Sequence, residues 1–285
     1  MSFVVLSLSC PDRRGIVALV SQTLADLDVN IARNSQFGDT GTGMFCMRSL
    51  LELQGTRYSP EELREQLEPV AEQLDASLSI RAEENHHRAL VLVSKYDHCL
   101  VDLFYRQQTG EIPIEIPVVA SNHDELRGIA EAASTEFEHI PADDKSASEK
   151  RLRQLIAQHD IDLIIMARYM QILSPEFCRD FEGKVINIHH SFLPGFKGAN
   201  PYGRAWERGV KLIGATAHYA TADLDEGPII AQATEPVSHR DTSQTMMVKG
   251  RDIERRVLAS AVLAHCEDRI FLLGQVGNFR TVVFE

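Results

Sequence analysis

The chain has 285 residues, of which 44% are hydrophobic and 25% charged, and its formal net charge is −12 at pH 7. This length and composition are typical of a globular protein with one large or two smaller cores, and the acidic balance argues against nucleic-acid partners, which need a clustered basic surface. No window approaches about 18 uninterrupted apolar residues, and the basic residues near the N-terminus follow the first apolar run, so we expect no membrane partner, no signal peptide and a cytoplasmic location.

The first part of the chain, residues 1–83, predicts a small βαββαβ domain of ferredoxin-like type. Both of its helices carry an apolar stripe at helical spacing, and one strand alternates apolar and polar residues as an antiparallel sheet with one buried face would. The second helix has a clear start, with Ser59 as N-cap, Pro60 as first helical residue and Glu62 completing a capping box.

A polar run at residues 84–88 predicts a linker, and residues 89–285 then predict a second, α/β domain. Apolar strands alternate with helices there, which favours right-handed crossovers and a Rossmann-like, mostly parallel sheet covered on both faces. Ile253 and Val257 belong to the apolar stripe of a long helix near the end, and "FRTVVFE" predicts a last strand. Ligands of such sheets bind beyond the carboxyl ends of the strands.

Polar side chains collect at those predicted strand ends. An isolated Ser, Asn or Asp after a strand usually caps a helix or forms a turn, and this is our interpretation of Asn122, Ser174 and Asp223 taken alone. Asn187 differs, because it lies inside an apolar strand where a buried amide needs a partner. His189 is two residues further on, so both side chains point to the same face of the strand.

Asn187 and His189 suit acyl chemistry. An amide can donate to the oxyanion of a tetrahedral intermediate while an imidazole moves protons, and Asp225 lies in a loop that could return to orient the imidazole. A metal centre is the alternative, since the chain has 11 histidines. However, adjacent histidines lack ligand spacing, no HExxH motif occurs, and the five scattered cysteines indicate reduced thiols rather than a disulfide framework or a zinc site.

Two motifs resemble a known family. "NIHHSFLPGFKGANPY" and "GATAHYATADLDEGPII" resemble the formyltransferase-fold family that acts on formyl-tetrahydrofolate. The resemblance implies that Asn187, His189 and Asp225 are catalytic. "ARYMQILS" resembles the folate-binding segment, which implies that residues 168–173 and the loop 220–225 flank the pterin. "SKYDHC" would line an emptied acceptor pocket through Ser94, Lys95 and His98, and Gly195, Gly198 and Pro201 would shape a loop. The full set of expected substrate-binding residues is Arg168, Met170, Ile172, Leu173, Ser94, His98, Gly195, His218, Ala220 and Asp223.

The N-terminal segments "LSCPDRRGIVALVS" and "VNIARNSQF" resemble an ACT domain, a module that commonly binds amino acids and pairs with copies of itself. The combination of both domains resembles the formyltetrahydrofolate deformylase family over nearly the whole chain. This implies hydrolysis of 10-formyltetrahydrofolate to tetrahydrofolate and formate for one-carbon balance and purine synthesis. It also implies no cofactor and no metal, a small-molecule folate substrate, a possible amino-acid effector and a homo-oligomer. A formyltransferase with an amine acceptor, or a non-catalytic sensor of amino acids and folate, are the alternatives.

Overall fold

A computed structural model describes residues 3–53, 58–195, 201–275 and 278–285. The chain divides into two compact units, one made of Met1–His86 with Glu267–Glu285 and the other of His87–Cys266. The boundary between His86 and His87 falls within the predicted linker, residues 84–88. Among the described residues, no helix combines the length and the apolar character that crossing a membrane requires.

The first unit begins with the predicted βαββαβ order, which the structure confirms. Its strands form one antiparallel sheet, and the apolar faces of both helices pack against it around Leu6, Leu24 and Leu67. The predicted capping box is present, because the backbone N–H of Glu62 donates to Ser59 Oγ and that of Ser59 donates to Glu62 Oε2. The elements are β1 (Phe3–Pro11), α1 (Ile16–Asp26), β2 (Asn30–Asp39), β3 (Met44–Glu52), α2 (Pro60–Leu74) and β4 (Ser77–Ala82).

The second unit is a seven-stranded α/β sheet in the order β11-β10-β9-β8-β5-β6-β7. The five strands from β9 to β7 are parallel, as predicted, and β10 and β11 extend the sheet antiparallel. Its elements are β5 (His87–Val93), α3 (His98–Thr109), β6 (Ile114–Ser121), α4 (Arg127–Ala132), β7 (Glu136–His139), α5 (Lys145–Gln158), β8 (Leu163–Met166), α6 (Pro175–Asp180), β9 (Val185–His189), α7 (Pro201–Arg208), β10 (Leu212–Tyr219), β11 (Ile229–Pro236) and α8 (Ser243–Cys266).

The chain ends in a two-stranded hairpin, β12 (Ile270–Gln275) and β13 (Asn278–Val283), which belongs to the first unit. Its buried residues Phe271 and Leu273 cluster with Cys46 of β3, and Arg81 of β4 forms a 2.7 Å ion pair with Asp268. The sequence predicted a last strand but assigned the whole of 89–285 to the catalytic domain. The structure differs because the apolar side of the hairpin is buried against the small sheet. All five cysteines are buried free thiols.

Candidate active site

A cleft lies where the segments that follow β8, β9 and β10 come together. Its cavity volume is about 290 Å³, near the lower end of the range of small-molecule sites. Asn187, His189 and Asp225 all line it. Most of the predicted substrate-binding residues line it as well, namely Arg168, Met170, Ile172, Leu173, His218, Ala220 and Asp223.

His189 and Asp225 form a buried pair in this cleft. His189 Nδ1 lies 3.1 Å from Asp225 Oδ1, and each side chain is only 6% exposed. A carboxylate accepts, so Nδ1 carries the proton, and in the corresponding neutral tautomer the lone pair lies on Nε2. His189 Nε2 is buried and has no hydrogen-bond partner among the described residues. The pair therefore leaves one basic nitrogen available for a proton from a ligand in the cleft.

Asp225 is held ionised by its neighbours. Burial by itself raises the pKa of this carboxyl, but the hydrogen bond from His189 and the nearby imidazoles of His189 and His218 outweigh burial and lower the pKa. The backbone of Asp225 is left-handed, with φ of 57°, a conformation that is uncommon outside glycine and recurrent at functional sites. The loop thus turns sharply to bring the carboxylate to His189.

The amide of Asn187 is oriented by His218. Asn187 Nδ2 lies 3.2 Å from His218 Nε2, and His218 Nδ1 lies 2.9 Å from the carbonyl oxygen of Tyr219. That oxygen can only accept, so Nδ1 carries the proton, and burial lowers the pKa of His218 and keeps the ring neutral. Nε2 therefore accepts from the amide, and Asn187 keeps its second N–H for the cleft. The sequence predicted that His218 contacts the substrate, and in the structure it also contacts the Asn187 amide.

The walls of the cleft expose apolar side chains. Met170 is 50% exposed, Ile172 60% and Leu224 55%, although large apolar residues normally avoid water. All three line the cleft, whereas Leu173 is buried beneath them. Exposed apolar walls around a few polar groups are typical of a small-molecule binding site.

Three predicted substrate-binding residues lie elsewhere. Ser94 is buried and bonds Asn122 and the backbone N–H of Met170, so it supports the cleft wall from behind. Gly195 lies in a tight loop closed by a bond from Ser191 Oγ to its carbonyl oxygen and lines a separate apolar pocket. His98 lines a neighbouring chamber.

The structure also shows where three other residues named in the sequence analysis lie. Ser174 is the N-cap of α6, as expected, because its Oγ accepts from the backbone N–H of Phe177. Pro201 begins α7 and Lys95 pairs with Glu125 at 3.8 Å on the surface. Gly198 lies outside the described residues.

A buried carboxylate that the sequence analysis missed lies beside the cleft. Glu254 of α8 is 1% exposed and accepts from Tyr202 Oη at 2.5 Å, while its Oε2 lies 2.9 Å from His98 Nε2 and 3.4 Å from Arg168 Nε. Burial raises the pKa of Glu254, but these partners outweigh it and the pKa is lowered. The signal in the sequence was a glutamate adjacent to the apolar stripe of a long helix.

His98, Cys99 and Glu254 also bring three possible metal ligands within 4.8 Å of one another. The chemistry of this cluster favours a network of ion pairs over a metal site. Burial raises the pKa of the Cys99 thiol well above its usual value, whereas metals bind the thiolate, and the Arg168 guanidinium already neutralises Glu254.

Comparisons with known proteins cover both units. Residues 87–262 match the family model for formyl transferase, and residues 4–52 match the model for the ACT domain. The chain is 47% identical over 281 residues to formyltetrahydrofolate deformylase of Synechocystis sp., an alignment that covers 98% of this chain and 97% of that protein.

Solved structures are also similar to this chain. A formyltetrahydrofolate deformylase from Pseudomonas syringae pv. tomato superposes with a TM-score of 0.96 at 41% identity and covers 100% of this chain and 95% of its own. Glycinamide ribonucleotide transformylase 1 from Symbiobacterium toebii superposes with a TM-score of 0.66 at 28% identity, over 73% of this chain and 98% of its own. Similarity to the first therefore includes both units, and similarity to the second is partial.

Proposed function

The chain belongs to the formyltetrahydrofolate deformylase family, and we propose that Asn187, His189 and Asp225 carry out its reaction, the hydrolysis of 10-formyltetrahydrofolate to tetrahydrofolate and formate. The observation that carries the assignment is the 3.1 Å pair between His189 and Asp225 in the cleft that Asn187 also lines. An imidazole with one nitrogen on a carboxylate and the other unpartnered is arranged for proton transfer.

In the first step, water attacks the formyl carbon and the carbonyl oxygen becomes an oxyanion. The free N–H of Asn187 donates to that oxyanion, and one such donor is typically worth about 10² to 10³ in rate. His189 Nε2 takes the proton from the attacking water. The resulting imidazolium is stabilised by the ionised carboxylate of Asp225.

In the second step, the tetrahedral intermediate collapses and the bond from the formyl carbon to N10 breaks. His189 returns its proton to N10, so that tetrahydrofolate leaves as a neutral amine. The other product is formic acid, which loses its proton to solvent and leaves as formate. Each proton in these steps is carried by the imidazole or by water, so the proposed reaction requires substrate and water alone.

The pterin of the substrate occupies the apolar part of the cleft in this proposal. Met170, Ile172 and Leu224 flank the ring, and the backbone of the loop 220–225 supplies polar contacts. Ser94 supports this wall indirectly through its bond to the backbone N–H of Met170.

The first unit regulates the enzyme in this proposal. Its match to the ACT domain supports binding of a small amino acid and pairing with a second copy of the chain. Calorimetry with the common amino acids tests the effector, and light scattering over a range of protein concentrations tests self-association. No heat with any amino acid, or a monomer at every concentration, would contradict the respective part.

The reaction itself is tested by measuring formate release from 10-formyltetrahydrofolate with and without amines. Hydrolysis predicts stoichiometric formate and tetrahydrofolate in buffer without an amine. Product that forms only when an amine acceptor is added would indicate a formyltransferase. Folate binding without any turnover would indicate a sensor.

A further inference from the structure

A chamber beside the cleft takes no part in the steps above. Its cavity volume is about 250 Å³, and it shares Arg168, Met170 and His190 with the cleft. We call it the side chamber. Its other charged and polar lining residues are Tyr96, His98, Tyr202, Arg251 and Glu254.

Positive charge exceeds negative charge in the side chamber. The guanidinium carbon of Arg168 lies 5.1 Å from the centre of the Tyr96 ring, and that of Arg251 lies 5.3 Å from it. The single carboxylate of the chamber, Glu254, is already paired with Arg168 and His98. Arg251 contacts Met247 Sδ at 3.9 Å, and no carboxylate pairs with it among the described residues. Within the part of the chain that the structure describes, the Arg251 guanidinium therefore has no counter-ion.

Two buried nitrogen atoms of the side chamber are also incompletely used, Arg168 Nε, which lies 3.4 Å from Glu254 Oε2, and His98 Nδ1. Both lack a hydrogen-bond partner among the described residues. Buried polar atoms are rarely left unpaired in proteins, and an exception often marks the place of a ligand or a water molecule. Arg168 is itself held in a left-handed backbone conformation, with φ of 67°, at the boundary between the two cavities.

We propose that the side chamber binds a small carboxylate and that formate released in the adjoining cleft is its occupant. The proposal rests on the proposed function, because formate is the anion that the reaction forms in the cleft that Arg168 also lines. A guanidinium binds a carboxylate through paired N–H donors, and Arg251 is available for this. The same excess of positive charge repels the ammonium form of an amine, which favours water as the acceptor of the formyl group.

The experiment measures formate binding directly, with no folate present. Full-length enzyme is titrated with ¹³C-formate, and the line width and chemical shift of the formate signal are followed by NMR. Arg251→Gln removes the unpaired guanidinium. Arg255→Gln is the matched control, because Arg255 lies one turn further along α8, pairs with Asp252 at 2.8 Å and does not line the side chamber.

Saturable formate binding to the wild type that weakens about tenfold or more in Arg251→Gln, and stays unchanged in Arg255→Gln, would support the proposal. Equal binding to all three proteins, or no saturation in the wild type, would overturn it. Inorganic phosphate serves as the competing anion. If phosphate displaced formate at about one tenth of the formate concentration, the chamber would be a site for a larger anion, and the proposal would be overturned as well. Because no turnover is needed, a failure here is distinguishable from absence of deformylase activity, which the formate-release assay reports.

Discussion

Gly250 leaves the space that the side chain of Tyr202 fills. A Cβ atom at Gly250 would lie 2.0 Å from Tyr202 Oη, far inside van der Waals contact. Glu254, four residues further along α8, accepts the hydrogen bond from the same hydroxyl. The glycine therefore lets the tyrosine lie against the helix and reach the buried carboxylate beside the cleft.

Gly250→Ala should expel the Tyr202 ring from this position. Overpacking of this kind typically costs about 1 to 3 kcal/mol, which urea unfolding of the full chain measures. Gly128→Ala in α4 is the matched control, since a Cβ there meets no atom within 4 Å and alanine favours a helix. A Gly250→Ala variant as stable as Gly128→Ala would contradict the packing argument.

His218→Phe should lower kcat more than it changes KM. Without the acceptor Nε2, the Asn187 amide is free to rotate and its donor is aimed at the oxyanion for only part of the time. We expect a loss of about tenfold or more in kcat, up to the roughly 10² to 10³ that Asn187→Ala should cost by removing the donor outright. Steady-state kinetics of formate release measures both. If His218→Phe raised KM and left kcat unchanged, its role would be substrate binding.

Asp225→Asn should reduce formate release by roughly 10² to 10⁴ while folate binding persists, because the amide neither fixes the ring tautomer nor balances the imidazolium. Since the pKa of Asp225 is lowered, the carboxylate is ionised above its usual value of 3.8, and its contribution is lost only as the pH falls through that lowered pKa. Any change in the activity of the wild type with pH near neutrality should therefore come from the titration of groups other than Asp225. Asp223→Asn, in the same loop, should change KM more than kcat. Wild-type kcat in Asp225→Asn would refute the role.

The βαββαβ order of the first unit could be predicted because it depends on local patterns. The capping box at Ser59 and the helical and alternating periodicities each depend on neighbours within a few residues, and all of them appear in the structure. The partner of the last hairpin could not be predicted in this way. The sequence predicted only the second strand of this hairpin, and the spacing of Phe271 and Leu273 does not identify Cys46 as the residue that packs against them.

In the candidate site, too, local features could be predicted from the sequence and long-range contacts could not. Asn187 and His189 share a strand, so their common face follows from their spacing. Asp225 comes from a loop, so its place beside His189 does not follow from spacing and was inferred from the position of that loop and from the motif resemblance. Glu254 escaped notice because its partners, His98, Arg168 and Tyr202, lie far from it in the sequence. A charged residue on a buried helix face signals such a network without naming its members.

Leu273→Ala tests the assignment of the hairpin to the first unit. Leu273 is 1% exposed, and truncation of a buried leucine typically costs about 2 to 5 kcal/mol. Hydrogen exchange should then show weaker protection of the small sheet, including β3, and no change in β5 or β8. Phe37→Ala, an exposed position on β2, should cost less than about 1 kcal/mol and serves as the control. Unchanged protection of β3 in Leu273→Ala would argue that the hairpin does not stabilise the small sheet.

Glu254→Gln should destabilise the chain in a pH-dependent way. Removing one partner from a buried ion network typically costs about 3 to 5 kcal/mol, because Arg168 is left without its carboxylate. The pKa of Glu254 is lowered from its usual value of 4.5, so its ionisation contributes stability above that value and loses it as the pH falls through the lowered pKa. The difference in unfolding free energy between wild type and variant should therefore be full at pH 7 and shrink below the usual pKa.

Urea titrations across this pH range measure that difference. Asp252→Asn is the control, because that carboxylate is exposed and its pair with Arg255 should be worth less than about 1 kcal/mol. A constant difference at every pH would mean that Glu254 acts through its shape, because loss of its charge would then have no effect on stability.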